Sequence, residues 1–304
     1  MPDSPLIIDV SPRDGLQNDP VILEPGVRAE LCRRLVATGI QRVEAVSFVH
    51  PRYVPAMAGA EEVVAALPDL RDEALVGLAL NRRGFDRALA TGLRRVNLSV
   101  AVTESFSQRN QGCTREEAAA LIAELAPLAK ADGIEVVVTL SVCFGCPFEG
   151  RVAPSQTLEL ADRVAAIGVD AVVLADTIGV AVPAAVRTLV AGAADRGVPV
   201  GGHFHDTRNT GIANCLAALE AGAVRLDAST GGVGGCPFAP GATGNVATED
   251  LVYVLEESGV DTGIDLDALI DCARWLGGQL GHPIPSALAR AGGFPAGEGA
   301  TTHP

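Results

Sequence analysis

Residues 171–229 read AVVLADTIGVAVPAAVRTLVAGAADRGVPVGGHFHDTRNTGIANCLAALEAGAVRLDAS. Short runs rich in valine and leucine alternate in this stretch with longer amphipathic runs. The short runs are typical of buried parallel strands, and the longer runs are typical of the helices that connect them. The stretch therefore predicts three strands joined by two helices.

The same alternation continues over most of the 304 residues. Eight strands are predicted, at residues 6–10, 42–48, 74–80, 95–102, 135–142, 171–176, 198–205 and 225–229. Eight helices are predicted, at residues 25–37, 60–67, 83–90, 114–131, 154–166, 183–196, 209–221 and 248–258. Thr114 and Glu117 have the spacing of a capping box. Eight strands, each followed by a helix, indicate an α/β fold, the (β/α)₈ TIM barrel.

The barrel is expected to be the catalytic domain and to occupy residues 1–262. One further helix is predicted at residues 266–280, and the Gly-, Pro- and Ala-rich end 292–304 is expected to be loose. Residues 263–304 are therefore predicted to form a short C-terminal helical extension with a flexible tail. A doubly wound sheet would also alternate, but it needs no eightfold count and usually has a Gly-rich first loop.

Composition indicates which binding partners and which cellular compartment to expect. The net charge of −14 argues against a nucleic-acid partner, which needs basic surface. No apolar run reaches the roughly 18 residues that span a bilayer, so no membrane partner is expected. Seven cysteines without a basic leader sequence fit a reducing cytoplasm. Cys143 and Cys146 form a CxxC, which indicates either a redox pair or, as we favour, buried thiols at a turn.

Chemically reactive side chains cluster where predicted strands end. Those considered are Arg13, Asp14 and Gln17 after the first strand, Glu44 in the second, Asp176 at the end of the sixth, His203 and His205 at the end of the seventh, and Cys236 and Asn245 after the eighth. Active sites of TIM barrels lie at the C-terminal ends of the strands. We therefore expect these groups to converge on one face.

Two of these groups, His203 and His205, lie two residues apart on a strand, so their rings share one face. Such a pair alone is as consistent with packing as with metal binding. The carboxylate of Asp14 and the amide of Asn245 complete a set of two nitrogen and two oxygen ligands. This set lacks thiolate and suits Mg²⁺ or Mn²⁺.

Arg13 is expected to stabilise an enolate, because a fixed cation where negative charge develops is a strong catalytic device. The alternative is a simple ion pair with Asp14. Glu44 is expected to orient Arg13 or a metal-bound water. Asp176 is interpreted as an acid or base, or alternatively as a hydrogen-bond acceptor for the next loop.

The segment 231–245, GGVGGCPFAPGATGN, holds six glycines around Cys236. Glycines permit the positive φ angles and close approach that a flap over a ligand requires. A thiol near a divalent cation loses its proton more easily, so Cys236 is a candidate general base. The alternative, a buried thiol at a turn, is less favoured because the neighbouring glycines bury little.

Several of these segments together resemble the 3-hydroxy-3-methylglutaryl-CoA lyase family of metal-dependent barrel lyases. The most specific match is GGVGGCPFAPGATGNVATEDLVYVLEESGV at 231–260. The others, in order, are SPRDGLQN at 11–18, VEAVSF at 43–48, CFGCPFEG at 143–150, ADTIGV at 175–180 and HFHDT at 203–207.

The resemblance implies an activity as well as roles for residues. The implied reaction is divalent-metal-dependent retro-Claisen cleavage of (S)-3-hydroxy-3-methylglutaryl-CoA to acetyl-CoA and acetoacetate, as in leucine degradation and ketone-body formation. It implies metal ligands at Asp14, His203, His205 and Asn245, catalytic groups at Arg13, Cys236, Asp176, His203 and Glu44 with a further acid at Glu249, and substrate contacts at Arg13, Gln17 and Asn110. Arg208, which departs from the family pattern and adds a charge close to the metal ligands, is a further expected substrate contact. The expected partner is an acyl-CoA, and a homodimer is a possible assembly.

Two departures from the family pattern leave the substrate open. Arg208 and Asn209 follow HFHDT where these lyases tend to have Tyr-Gly, and the loop 103–114 keeps Asn110 but has Gly112 and Thr114 where Asn and Ser are usual. Alternatives are a lyase for citramalyl-CoA or a longer branched hydroxyglutaryl-CoA, a Claisen synthase, and a silent CoA-binding barrel. The synthases usually carry a long C-terminal extension, and they lack the GGCPF segment.

Overall fold

The computed structural model describes residues 4–235 and 244–295. Eight parallel strands hydrogen-bond in chain order, and the first strand pairs with the last, so the sheet closes. The strands are β1 Leu6–Asp9, β2 Arg42–Ser47, β3 Leu75–Leu78, β4 Arg95–Ala101, β5 Glu135–Ser141, β6 Ala171–Asp176, β7 Val200–Phe204 and β8 Arg225–Ala228. The predicted TIM barrel is confirmed.

Helices follow the strands and surround the barrel. They are α1 Pro25–Ala37, α2 Ala60–Ala65, α3 Arg82–Ala90, α4 Glu104–Gln111, α5 Arg115–Ala131, α6 Pro154–Ile167, α7 Pro183–Ala194, α8 Gly211–Glu220, α9 Thr248–Glu257, α10 Leu266–Leu280 and α11 Leu288–Ala291. Thr114 and Glu117 form the predicted capping box of α5. The division into two domains stays a prediction, and the expected flexible tail lies mostly outside the described residues. Within the described ranges, no helix is long and apolar enough to cross a bilayer.

One helix differs from the prediction of a loop at residues 103–114. Helix α4, ESFSQRNQ, has too few apolar residues to show a helical repeat. Phe106 is its buried apolar anchor. The helix ends at Gly112, whose φ of 71° suits glycine. Gln111, at the end of this helix, donates from Nε2 to the backbone carbonyl of Ser99 in β4.

A buried carboxylate joins the two ends of the barrel sheet. Asp9, fully buried at the end of β1, accepts hydrogen bonds from the backbone and hydroxyl of Ser11 and of Thr230, and from the hydroxyl of Thr248. Burial raises the pKa of Asp9, while these donors oppose the shift. The network fixes the turn after β1 against the segment after β8, which are the two segments that carry most of the site.

Candidate active site

Three of the predicted ligands meet at one end of the barrel. The Oδ2 atom of Asp14 lies 3.9 Å from Nε2 of His203 and 3.9 Å from Nε2 of His205. The three ligand atoms all lie within 4.8 Å of one another, a grouping that could hold a metal ion. The separations are too long for hydrogen bonds. The described residues therefore contain a possible metal site.

Asn245, the fourth predicted ligand, lies in the same cluster. Its backbone forms an isolated antiparallel bridge with that of His205, just beyond the end of β7. Its Nδ2 atom donates to Oδ2 of Asp14 at 2.9 Å and to the carbonyl of Val233 at 3.2 Å. Its Oδ1 atom is buried and has no hydrogen-bond partner within the described ranges. The unpaired amide oxygen, the carboxylate and the two imidazoles together form a ligand set that fits a hard cation.

A second carboxylate orients one imidazole. Oδ2 of Asp227, on β8, lies 3.3 Å from Nδ1 of His203, which leaves Nε2 directed at Asp14. Burial lowers the pKa of His203, but the hydrogen bond to Asp227 and the charge of Asp14 outweigh it and raise the pKa. Burial and the neighbouring His203 lower the pKa of His205 to about 4. Burial opposes ionisation of Asp14, but Arg13 and the imidazoles hold its pKa below the usual range.

Arg13 contacts both acidic neighbours. Its Nε atom donates to Oε2 of Glu44 at 2.6 Å, and its Nη1 atom donates to Oδ1 of Asp14 at 2.5 Å. Arg13 lies in a single π-helical turn, Ser11–Gly15, and its side chain lines the cleft that is described below. Gly15 permits this turn to pack closely, since a Cβ there would lie 2.7 Å from the hydroxyl of Ser229. The ion pair with Asp14, which was the alternative reading of Arg13, is present, and Glu44 binds the other edge of the guanidinium.

A cleft with a volume of about 940 Å³ opens at this end of the barrel. Arg13, Asp14, His203 and His205 line one side of it, together with Asp227. Two predicted substrate contacts, Gln17 and Asn110, also line the cleft, as do the strand residues Asn97, Ser99, Thr139 and Ser141 and the exposed aromatic Tyr53. The cleft has the size of a site for an extended organic ligand.

Two residues expected at the site face elsewhere. Both carboxylate oxygens of Asp176 accept backbone hydrogen bonds at 2.9 Å, from Val180 and Ala181. This geometry favours the alternative in which Asp176 holds the next loop. The exposed Arg208 donates from Nη1 to the carbonyls of Ile178 and Gly179 in that same loop. Neither side chain is among the described residues that line the cleft, and the substrate contact expected of Arg208 stays a prediction.

Glu249 contacts Gly231, the first residue of the glycine-rich segment. Its carboxylate is fully buried and accepts from the backbone N–H of Gly231 at 3.0 and 3.1 Å. Burial raises the pKa of Glu249 to about 7, against the opposing effect of its hydrogen bonds. Glu249 thus contacts the start of the segment and does not line the cleft within the described part of the chain.

Of the seven cysteines, three bear on the predicted function: Cys236 and the CxxC pair, Cys143 and Cys146. Cys236 lies outside the described residues, although Gly235, one residue earlier, lines the cleft. Cys143 donates to the carbonyl of Leu140, and the buried Cys146 accepts from the hydroxyl of Thr103. The CxxC is therefore a pair of buried thiols at a turn, as favoured from the sequence.

Several residues of the site were not singled out from the sequence. Asp227 is a charged residue in a four-residue buried strand, and a charge at such a position itself indicates a functional residue. Asn97 and Ser99 in β4, and Thr139 and Ser141 in β5, occupy alternate positions with an apolar residue between the two members of each pair. In a closed barrel such a period of two indicates the inner face, so these residues could also have been found.

Comparison with known proteins gives the family. The HMGL-like family model matches residues 4–276. An (R)-citramalyl-CoA lyase of Chloroflexus aurantiacus is 43% identical over 94% of each chain. A hydroxymethylglutaryl-CoA lyase of Pseudomonas mevalonii is 41% identical over 90% of this chain and 92% of that protein.

A solved structure agrees over nearly the whole length. An HMG-CoA lyase from Acinetobacter baumannii, in complex with coenzyme A and 3-methylmalate, superposes with a TM-score of 0.92 at 38% identity. It covers 99% of this chain and 98% of that one. Sequence and fold therefore agree, and the chain belongs to the HMGL-like family of carbon–carbon lyases, of the hydroxymethylglutaryl-CoA lyase type.

Proposed function

We propose that the chain cleaves (S)-3-hydroxy-3-methylglutaryl-CoA to acetyl-CoA and acetoacetate. The observation that carries the proposal is the contact of Arg13 with Asp14 beside the two imidazoles, His203 and His205, on one side of a large cleft. The Arg13 guanidinium therefore lies beside a set of side chains that could bind a divalent ion. Bond cleavage next to a thioester needs both, since charge develops on the thioester oxygen while the alcohol becomes a carbonyl.

Asp14, His203, His205 and Asn245 would hold the divalent ion, which we propose to be Mg²⁺ or Mn²⁺. When bound, such an ion supplies Lewis-acid chemistry to substrate oxygens and makes a hydroxyl easier to deprotonate. His203 is also one of the catalytic groups that the resemblance implies, in which case it would donate a proton. That role competes with ligation, because the Nε2 atom that faces Asp14 would serve both, and we propose ligation.

Side chains of the protein transfer the hydroxyl proton and stabilise the negative charge of the enolate. In this proposal Cys236 accepts the proton of the C3 hydroxyl, and the C2–C3 electron pair passes to the thioester as an enolate. Arg13 stabilises the enolate oxygen, and Glu44 fixes the guanidinium plane. The Cys236 thiol then returns the proton to C2, so that atoms and charges balance. Gln17 and Asn110 are proposed to contact the substrate in the cleft.

Citramalyl-CoA is the second candidate substrate, favoured by the 43% identity to the Chloroflexus lyase. Its cleavage would give acetyl-CoA and pyruvate. Acetyl-CoA release from both thioesters should be measured with purified protein and Mg²⁺ or Mn²⁺, with and without EDTA. The larger kcat/KM identifies the substrate, and absence of release from both would refute the proposed reaction.

The biological setting is part of the same proposal. With hydroxymethylglutaryl-CoA as substrate, the products fit leucine degradation and ketone-body formation. We also propose a cytoplasmic location and a homodimer as the assembly. Cell fractionation tests the location, and light scattering of the purified chain tests the assembly.

A further inference from the structure

A histidine near the C-terminal end of the described residues pairs with an aspartate of the cleft. Nε2 of His282, in the segment that follows α10, lies 3.1 Å from each carboxylate oxygen of Asp19. Asp19 belongs to the loop 18–24, which leads into α1, and it lines the cleft. The Asp19 side chain is 6% exposed and that of His282 is 34% exposed. The pair therefore joins the segment after α10 to one wall of the cleft.

The contacts of His282 define its protonation state. Its Nδ1 atom lies 3.1 Å from the carbonyl oxygen of Pro283, and its Nε2 atom faces the Asp19 carboxylate. A carbonyl and a carboxylate only accept hydrogen bonds, so both ring nitrogens donate and both carry protons. The bond to Pro283, and after it the bond to Asp19, raises the pKa of His282 above its ordinary value of 6.5. The imidazole is therefore a cation in this arrangement.

Asp19 is the charged group that faces this imidazolium. Two other charged side chains contact the segment after α10, but each is bonded to its backbone. Asp250 accepts from the N–H groups at the start of α11, and Arg290 donates to the carbonyl of Pro285. Loss of the His282 proton therefore acts mainly on the contact with Asp19.

Asp19 also fixes the loop to which it belongs. Its Oδ1 atom accepts from the backbone N–H of Val21 at 2.9 Å, which closes a local turn. One residue earlier, Nδ2 of Asn18 donates to the carbonyl of Gly235 at 2.8 Å. Gln17, Asn18, Asp19 and Gly235 all line the cleft. A fixed Asp19 therefore keeps one wall of the cleft in place.

The segment that carries His282 is itself anchored to the barrel. The backbone N–H of Ser286 donates to the carbonyl of Gly231, at the start of the glycine-rich segment, at 3.1 Å. Ile284 packs closely on the same residue, since a Cβ at Gly231 would lie 3.2 Å from its Cδ1 atom. The contact of His282 with Asp19 therefore restrains the loop 18–24 against an anchored segment.

We propose that His282 is a positioning residue for the cleft: as a cation it holds Asp19 and the loop 18–24 in the conformation that binds an acyl-CoA, and this restraint weakens when the imidazole loses its proton. His282 itself does not line the cleft within the described part of the chain. The inference rests on the proposed function for the identity of the ligand.

The sign of the pH dependence follows from the contact. When the loop is released, the imidazole returns to its ordinary pKa of 6.5, whereas the contact with Asp19 raises that pKa. The contribution of His282 to binding is therefore complete below pH 6.5 and is lost as the pH rises through the raised pKa.

The test follows KM and kcat for hydroxymethylglutaryl-CoA and citramalyl-CoA in saturating Mg²⁺ from about pH 6 to 9. His282→Ala removes the contact, and His282→Arg keeps a positive charge over this whole range. Arg187→Gln is the matched control, because Arg187 pairs with Glu220 between α7 and α8 and both side chains are about half exposed. The quantity is the KM of each variant divided by that of wild type at the same pH, which cancels titrations that both proteins share.

For His282→Ala this KM ratio should be about 3- to 10-fold at pH 6, as for a partly exposed hydrogen bond between charged groups, and should approach 1 at pH 9. The kcat should change less than about twofold, because His282 lies outside the reacting groups. His282→Arg should keep the low KM at both ends of the range, and Arg187→Gln should match wild type throughout. A KM ratio for His282→Ala that does not vary with pH would overturn the inference and leave the proposed reaction intact.

Hydrogen–deuterium exchange of the free proteins at pH 6 tests the same contact without turnover. The backbone of residues 18–24 should exchange faster in His282→Ala than in wild type and His282→Arg, while α7 exchanges equally in all three. Equal exchange of 18–24 in all three would overturn the inference, whether or not the wild type cleaves either ester. Failure of the wild type to cleave both esters would overturn the proposed reaction, and with it the acyl-CoA as the ligand.

Discussion

Nε of Arg13 lies 2.6 Å from Oε2 of Glu44. Glu44 is nearly fully buried in β2, and its other oxygen accepts from Asn97. The carboxylate therefore binds the guanidinium through one oxygen and the Asn97 amide through the other. Arg13 cannot rotate away from the cleft without leaving this buried charge unpaired, which is costly.

Replacing Glu44 by Gln tests this relationship. The amide keeps the shape of the carboxylate but loses its charge, so Arg13 should be less firmly oriented and kcat should fall about 10- to 100-fold. KM should change less than kcat. Glu135→Gln is the matched control, because Glu135 pairs with Arg95 at the opposite end of the barrel strands. An unchanged kcat for Glu44→Gln would argue against the positioning role.

Arg13→Lys tests the charge itself. Lysine keeps one positive charge but lacks the planar fork that contacts Glu44 and Asp14 together. Turnover should fall on the order of 10²- to 10³-fold. Arg95→Lys serves as control, and circular dichroism should show that both variants fold. Turnover of Arg13→Lys within a factor of two of wild type would remove Arg13 from the proposed chemistry.

The sequence predicted the barrel well because its signals are local. Alternation of strands and helices and the capping box at Thr114 both reflect contacts within a few residues. The reactive residues converge for the same reason, since strand ends share one face. Asp14, His203, His205 and Asn245 meet as their places in the chain implied.

What the sequence could not show depends on side-chain direction. Asp176 ends β6 as expected, but both its oxygens face the backbone of the following loop. Arg208 is close in sequence to the imidazoles, yet its guanidinium binds that same loop. Helix α4 is not predicted from the sequence, because that sequence is almost wholly polar. Neither hydropathy nor spacing contains this information.

Asp9→Ala should be strongly destabilising. The fully buried carboxylate accepts from Ser11, Thr230 and Thr248, and truncation leaves these donors unpaired. The free energy of unfolding should drop on the order of 3 kcal/mol or more. Asp271→Ala, at a largely exposed position on α10, should change it by less than about 0.5 kcal/mol. Urea unfolding of both variants measures the difference, and equal midpoints would contradict the role given to Asp9.

The buried carboxyl of Glu249 predicts a pH dependence of stability. Its pKa is raised from about 4.5 to about 7 by burial, so the folded state binds this proton more tightly than the unfolded state. The resulting stabilisation is complete below pH 4.5 and is lost as the pH rises through 7. Glu249→Gln stays neutral and should lack this change.

The measurement is the unfolding free energy of wild type minus that of Glu249→Gln from pH 4.5 to 8. This difference should fall on the order of 3 kcal/mol as the pH rises and then level off. Taking the difference cancels the titration of groups common to both proteins. A difference that does not vary with pH would mean that Glu249 titrates normally in the folded chain.

Binding of Mn²⁺, followed by electron paramagnetic resonance without any substrate, tests the central proposal most directly. Wild type should bind one Mn²⁺ per chain, while His205→Ala and Asn245→Ala should weaken that binding at least 100-fold. His50→Ala, which removes an exposed imidazole at the cleft, should bind as wild type does. Equal Mn²⁺ affinity in wild type and in both ligand variants would contradict the site formed by Asp14, His203, His205 and Asn245.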